Sequence, residues 1–322
     1  MWNEIKERIK SSPLSSVSGI VTLSLLIPTV IGLTWGIEPD MFDVKPRSIK
    51  GETTTRTVIQ LTENLLNKSG GLLYNDVNPI SGFWLDNVPN WEYGNIILIR
   101  DITNTMRNQF SRSQSQSPED PDLSKAEPRL QYSINSWIFP SSEGEYEEGT
   151  VFLKAYLKRI TDNNATKAQF YTRSDNLREF FKIVEKRLGG YSQQLSASVG
   201  EVRFNTELSG DPDAQTSTKT RKQIRVKTGY FKLDDIFYET RGYTYGLIHV
   251  LKALETEFQE VLANKNALQS MKQIIRELEQ TQRTSINAIV AWGWINQSVF
   301  MSSYISRANA AMIDLRDLLR QG

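Results

Sequence analysis

The sequence contains no cysteine and a single histidine, His249. Without thiols there are no disulfides, no thiolate nucleophile and no finger-type zinc site. One imidazole cannot build the multi-histidine sites that catalytic zinc or non-haem iron usually require, so no metal and no cofactor is expected. Charge of one sign is also missing: 38 basic against 37 acidic residues leave a formal net charge of +1. Nothing therefore steers the whole molecule toward nucleic acid. What is abundant is apolar residues, 39% of 322, enough for a sizeable core in one large or two ordinary domains.

The longest charge-free stretch near the start is "SSPLSSVSGIVTLSLLIPTVIGLTWGI", between Lys10 and Glu38. Its apolar part, residues 17–37, covers the roughly 20 residues that cross a bilayer as a helix. Pro28 is tolerable in such a helix, and Trp35 belongs at the interface. The following "LTWGIEPDMFD" lacks the small-residue pattern of a signal-peptidase site, so the segment reads as an uncleaved anchor. Basic residues flank both ends, but the first charges beyond the span are Glu38, Asp40 and Asp43. That proximity is expected to leave residues 1–16 on the cytoplasmic side and everything after Ile37 outside, and a bacterial periplasm fits such an arrangement. Residues 38–52, with two prolines and little periodicity, read as a stalk before a helical domain at 53–322.

Helical spacing dominates that domain. Val58, Leu61 and Leu65 lead to a stop at "NKSGG". A helix is expected from Asn90 as N-cap, with Glu92 in its first turn and Ile99, Ile102, Met106 and Phe110 on one face. Residues 111–128, with three prolines and five serines, read as a surface loop. Tyr146, Thr150, Leu153, Leu157 and Ile160 mark the next helix. Leu177, Phe181, Val184 and Leu188 mark another, and Gly189-Gly190 leaves open one broken helix or two. The polar stretch 205–229 is the candidate internal linker, and "QIRVK" within it is the one hint of a strand. From Asp234 onward long amphipathic segments run to the end. The charge-free stretch between Arg283 and Arg307 carries too many amides and hydroxyls for a second span and is expected to be a core helix. The expected fold is all-α: an N-terminal transmembrane helix, then an antiparallel helical-bundle-like ectodomain.

Candidate sites follow from residue chemistry. In "GFWLDNVPNWEYG", Trp84 and Trp91 could stack on sugar rings while Asp86, Asn87 and Glu92 take hydroxyls, the basis of a glycan-binding or glycan-hydrolysing alternative. The competing expectation, that Trp91 wedges beneath the loop, is the stronger because large aromatics are usually buried anchors. Lys219, Arg221, Lys222, Arg225 and Lys227 would attract phosphate or an anionic surface, though without interleaved aromatics for base stacking. Asp235 and Glu239 share a helical face and are expected to pair with Arg241. Glu119, Asp120 and Asp122 read as turn residues. His249, among apolar neighbours, reads as a core histidine bonded to a carbonyl.

Five phrases, "GFWLDNVPNWEYG", "FSRSQSQSPEDPDLSKAEPR", "SASVGE", "DDIFYETRGYTYGLIHVLKALE" and "YISRANAAMIDLRDLL", resemble an uncharacterised family of proteobacterial single-pass inner-membrane proteins known as a domain of unknown function. The resemblance implies an inner-membrane location and carries no activity, cofactor or catalytic residue. The expected function is a membrane-anchored envelope protein that binds or scaffolds a protein partner or a second copy, with the lipid bilayer as its other partner through residues 17–37.

Overall fold

The computed structural model describes residues 22, 26, 30, 34–75, 87–114, 116–162, 168–197, 200–204, 223–226, 229, 232–283 and 286–320. Nine helices account for most of them: α1 Glu52–Asn67, α2 Asn87–Thr105, α3 Leu123–Leu130, α4 Ser142–Thr161, α5 Ser174–Ser196, α6 Leu233–Glu257, α7 Gln259–Asn264, α8 Leu268–Gln282 and α9 Ile286–Arg320. Strands β1 Glu201–Phe204 and β2 Gln223–Val226 form an antiparallel ribbon pairing Glu201 with Val226 and Phe204 with Gln223. The all-helical expectation holds, and the ribbon includes the stretch "QIRV" that hinted at a strand.

The helices start and stop for reasons visible in the chain. Ser141 caps α4 by accepting from the Gly144 N–H, as its serine-rich approach suggested. α2 begins at Asn87, with Pro89 in its first turn where no backbone donor is needed. Its last turn widens into a π-helical segment, Met106–Phe110. α5 is a single helix through Gly189-Gly190. The expected loop 111–128 is shorter than its prolines imply. Asp120 Oδ1 accepts from the N–H groups of Asp122 and Leu123, starting α3, and Pro128 lies inside that helix.

α1 shows a cap that local sequence does not contain. Its N-cap, Gly51, has φ +85° and no side chain to offer. The carboxylate of Glu257, at the far end of α6, accepts from the N–H groups of Gly51 at 2.8 Å and Thr54 at 3.2 Å. An anion is thereby set at the positive end of the helix dipole by an element some 200 residues away.

Most helix neighbours run antiparallel, as paired residues show: Arg129 with Glu145 and Lys125 with Phe152 for α3 and α4, Lys252 with Glu279 and Lys272 with Glu255 for α6 and α8, and Ser174 with Leu319 and Ser192 with Ser302 for α5 and α9. The central pair departs from that expectation. Asn90 meets Asp235, and a Cβ on Gly246 would meet Leu98, so residue numbers rise together and α2 and α6 are parallel. The long intervening chain, with α3, α4, α5 and the ribbon, makes such pairing possible where a short loop would not.

The two helices touch backbone to backbone. A Cβ on Gly94 would lie 1.8 Å from the Glu239 carbonyl oxygen, and one on Gly242 would lie 1.9 Å from that of Trp91. Neither neighbour is a side chain that can rotate away. Around this contact the core is continuous, from Val58, Leu61 and Leu65 of α1 to Met301, Ile305 and Met312 of α9.

Residues 38–42 do not stand clear of the domain as a free stalk. Glu38 pairs with Arg241 at 2.8 Å, the Asp40 carbonyl accepts from the Tyr245 hydroxyl at 2.9 Å, and Phe42 stacks on His249 with centroids 3.9 Å apart. Burial of an aromatic ring and a paired carboxylate outweighs the freedom a stalk would keep. Of the expected span 17–37, only residues 22, 26, 30 and 34–37 are among the described ones. Among the described residues no helix is long and apolar enough to cross a membrane. In α9, expected at the bundle centre, Gly293 breaks the helix with φ 73° and ψ 159°. Met301 and Ile305 are buried beyond it, yet Val299 and Phe300 are exposed.

Gly94→Ala and Gly242→Ala should each destabilise the fold by at least about 3 kcal/mol, since overpacking here has no rotamer to relieve it. Urea unfolding measures this; a loss under about 0.5 kcal/mol, typical of a surface position, would contradict the backbone contact.

Candidate functional site

The aromatic and acidic motif at 82–94 becomes the start of α2. Trp91 is fully buried, its ring centroid 5.1 Å from that of Tyr245. Glu92 is equally buried and serves neither the helix dipole nor a ligand hydroxyl. Its carboxylate pairs with Lys68 at 2.7 Å and accepts from the N–H groups of Leu73 and Tyr74 at 2.9 Å. Burial pushes the Glu92 carboxyl upward, and the Lys68 ammonium and the two backbone donors draw it back. Buried against Tyr245, Trp91 has no ring face open to a sugar, and Glu92 has no carboxylate oxygen exposed to take a hydroxyl; the loop under which the indole is expected to wedge lies outside the described residues. Asn87 is half-buried at the first residue of α2, while Trp84 and Asp86 lie outside the described residues.

Of the basic cluster, Arg225 sits in β2 opposite Val202, and Lys219, Arg221, Lys222 and Lys227 lie outside the described residues. The acidic turn is an ion-pair knot: Arg107 holds Glu119 at 2.7 Å, and Arg159 holds Asp122 at 2.6 Å as well as Asp120. His249 is the core histidine expected. Its Nδ1–H donates to the Tyr245 carbonyl at 2.8 Å, which leaves Nε2 to accept from the Phe42 N–H at 3.1 Å. Burial lowers its pKa from 6.5 to about 4.

Asp235 and Glu239 lie together on α6, but not with Arg241, whose partner is Glu38. Asp235 accepts from Asn90 at 2.6 Å, and Glu239 accepts from the Tyr191 hydroxyl at 2.9 Å. This second bond opens onto a cluster that local spacing did not reveal. Arg187 of α5 makes a two-pronged pair with Asp101 of α2, at 3.0 and 3.1 Å, and the Tyr243 hydroxyl donates to the same carboxylate at 3.4 Å. Burial raises Asp101 and Glu239, with Arg187 pulling both back. It also holds the Tyr191 and Tyr243 phenols protonated far above their ordinary range, an effect the adjacent carboxylates reinforce.

The cluster floors a groove of about 580 Å³ between α2 and α5. Asn104, Thr105 and Gln109 form one wall; Glu179, Lys182, Ile183, Lys186 and Gln194 form the other; Glu239 and Tyr191 lie between. Gly190 contributes its missing side chain, because a Cβ there would meet nothing within 4 Å. Among the described residues no group of three or more histidine, cysteine or acidic side chains is disposed to hold a metal ion. Chemically the groove offers a mixed-charge rim over a phenol and a carboxylate already engaged with each other, Tyr191 and Glu239.

A family described as "Uncharacterized protein conserved in bacteria (DUF2333)" matches residues 8–322. The chain belongs to this family. No curated protein and no solved structure matches it. In this DUF2333 member the groove lined by Arg187 lies over that residue's pair with Asp101.

Asp101→Asn should cost about 2 kcal/mol in urea unfolding, because the half-buried Arg187 guanidinium loses its counter-charge while water offsets part of the loss. An unchanged midpoint would show the pair to be ornamental. For His249 the folded pKa lies below the unfolded one, so its contribution is complete above pH 6.5 and is lost as pH falls toward about 4. Across that window the wild type should lose roughly 3 kcal/mol relative to His249→Gln, which takes up no proton. A constant difference between the two would refute the neutral imidazole.

Proposed function

We propose that this DUF2333 member is a membrane-anchored protein of the bacterial envelope that binds or scaffolds another protein and has no catalytic role of its own. The observation that carries this reading is the use of its acids. Among the described residues, Glu92, Asp101, Asp120, Asp122, Asp235, Glu239 and Glu257 are hydrogen-bonded or ion-paired within the fold. A general acid or base must instead keep a proton position open toward a substrate. Carboxylates spent this way make a stiff framework, and stiffness suits a docking surface, since little is lost in ordering it on binding.

The anchor rests on the charge-free segment 17–37. Orientation rests on the acids that follow it, with the N-terminus cytoplasmic and the helical domain in the periplasm of the inner membrane. The groove between α2 and α5 is the face assigned to the partner. Its rim carries Glu179 beside Lys182 and Lys186, which favours a polar segment of alternating charge over an apolar helix.

Cross-linking of the full-length chain in membranes, followed by solubilisation and affinity purification, should return one protein at near-stoichiometric yield. Gly190→Trp, which fills the groove without touching the core, should abolish that recovery with thermal stability unchanged. Repeated recovery of the wild-type chain alone would sink the proposal, as would a partner that Gly190→Trp retains.

A further inference from the structure

Between α3 and α4 three large apolar side chains stand in water one after another. Trp137 is 56% exposed, Ile138 58% and Phe139 97%. Single exposed hydrophobics are ordinary, but a contiguous run of this size on a soluble surface marks a contact. The run is also held in place by polar bonds on both sides. The hydroxyl of buried Ser142 lies 2.8 and 2.9 Å from the carbonyls of Ser133 and Ser136, and accepts from the Ser136 N–H at 3.1 Å. Ser136 Oγ donates to the Pro140 carbonyl at 2.7 Å. The tip is a fixed projection whose apolar atoms have no place in the core beneath it.

Its position narrows what it meets. Asn75 donates to the Ser136 carbonyl at 2.8 Å and to Glu143 at 2.9 Å, tying the base of the tip to the segment after α1. Two residues earlier, Leu73 packs with Val88 against Trp35. The Trp35 ring also covers Gly70, where a Cβ would approach it to 2.7 Å. Leu73 and Asn75 are at most about 7 Å apart along the chain. Trp35 closes the charge-free segment that begins after Lys10, so the tip and the exit of that segment share one end of the molecule.

We infer that Trp137, Ile138 and Phe139 form a second membrane contact, entering the interfacial layer of the bilayer leaflet from which the N-terminal segment emerges. The inference rests on the anchored reading above and adds that the domain lies in a set orientation against the lipid. Tryptophan and phenylalanine are the residues an interface accepts best. No lysine or arginine occurs between Arg129 and Lys154, while Glu143, Glu145, Glu147 and Glu148 open α4. The surface chemistry therefore selects a zwitterionic headgroup region by apolar insertion, and disfavours attraction to an anionic one.

The missing cysteines make the test clean. Ile138→Cys and, separately, Val151→Cys, which is 61% exposed on α4, are labelled with an environment-sensitive fluorophore in the full-length chain reconstituted into phosphatidylcholine vesicles. At position 138 the label should be quenched by spin-labelled lipid and shielded from aqueous iodide; at 151 the pattern should reverse. A chain that floats with vesicles while its 138 label stays open to iodide overturns the tip contact and leaves the anchor standing. A label shielded from iodide yet untouched by lipid quencher overturns it in favour of a protein contact. A chain that does not float overturns the anchor, and the tip contact with it.

Discussion

Two glycines bring two helices closer than side chains allow. Where α2 crosses α6, Gly94 and Gly242 let each backbone rest on the other's carbonyls, and the helices run parallel at that contact. At such a separation, residues flanking the crossing are driven either into it or away from it. Trp91 is driven in and seals against Tyr245. Asn90 reaches Asp235, and Tyr243 reaches Asp101. The arrangement of the whole centre follows from one close approach, which any Cβ would prevent.

Around that crossing the charged groups act as ties between distant stretches of chain. Glu92 gathers Lys68, Leu73 and Tyr74, fixing how the segment after α1 returns to the core. Glu257 supplies the cap that Gly51 cannot. Arg241 and His249 hold residues 38–42 along α6. Each of these groups is costly to bury alone and tolerable only with its partner in place. The ties therefore confer specificity more than raw stability.

Function on this reading belongs to surfaces. The groove exists because α5 carries Gly190 where a side chain would fill it, and because Glu239 and Arg187 are already satisfied along its floor. The apolar tip exists because a serine and asparagine network supports residues 137–139 from below. The paired floor and the projecting tip are both braced by hydrogen bonds within the fold.

Helix existence was legible along the chain, since an apolar face recurring every three or four residues is a property of one or two turns. Val58, Leu61 and Leu65, or Tyr146, Thr150 and Leu153, needed no knowledge of what they would face. The strand at Gln223–Val226 showed only as a hint in "QIRVK" within a stretch read as a linker, while the carbonyl-bonded core role of His249 was legible from its apolar neighbours. Partners were not. Arg241 chooses Glu38 over Asp235 and Glu239, Glu92 leaves its own helix terminus for Lys68, and Arg187 meets Asp101 across 86 positions. Nothing in local spacing marks Gly94 and Gly242 as the point of closest approach, or makes α2 and α6 parallel where most helix neighbours are antiparallel. Those choices depend on which chain segments are brought together when loops close, and periodicity, with a range of one helical turn, does not carry that information.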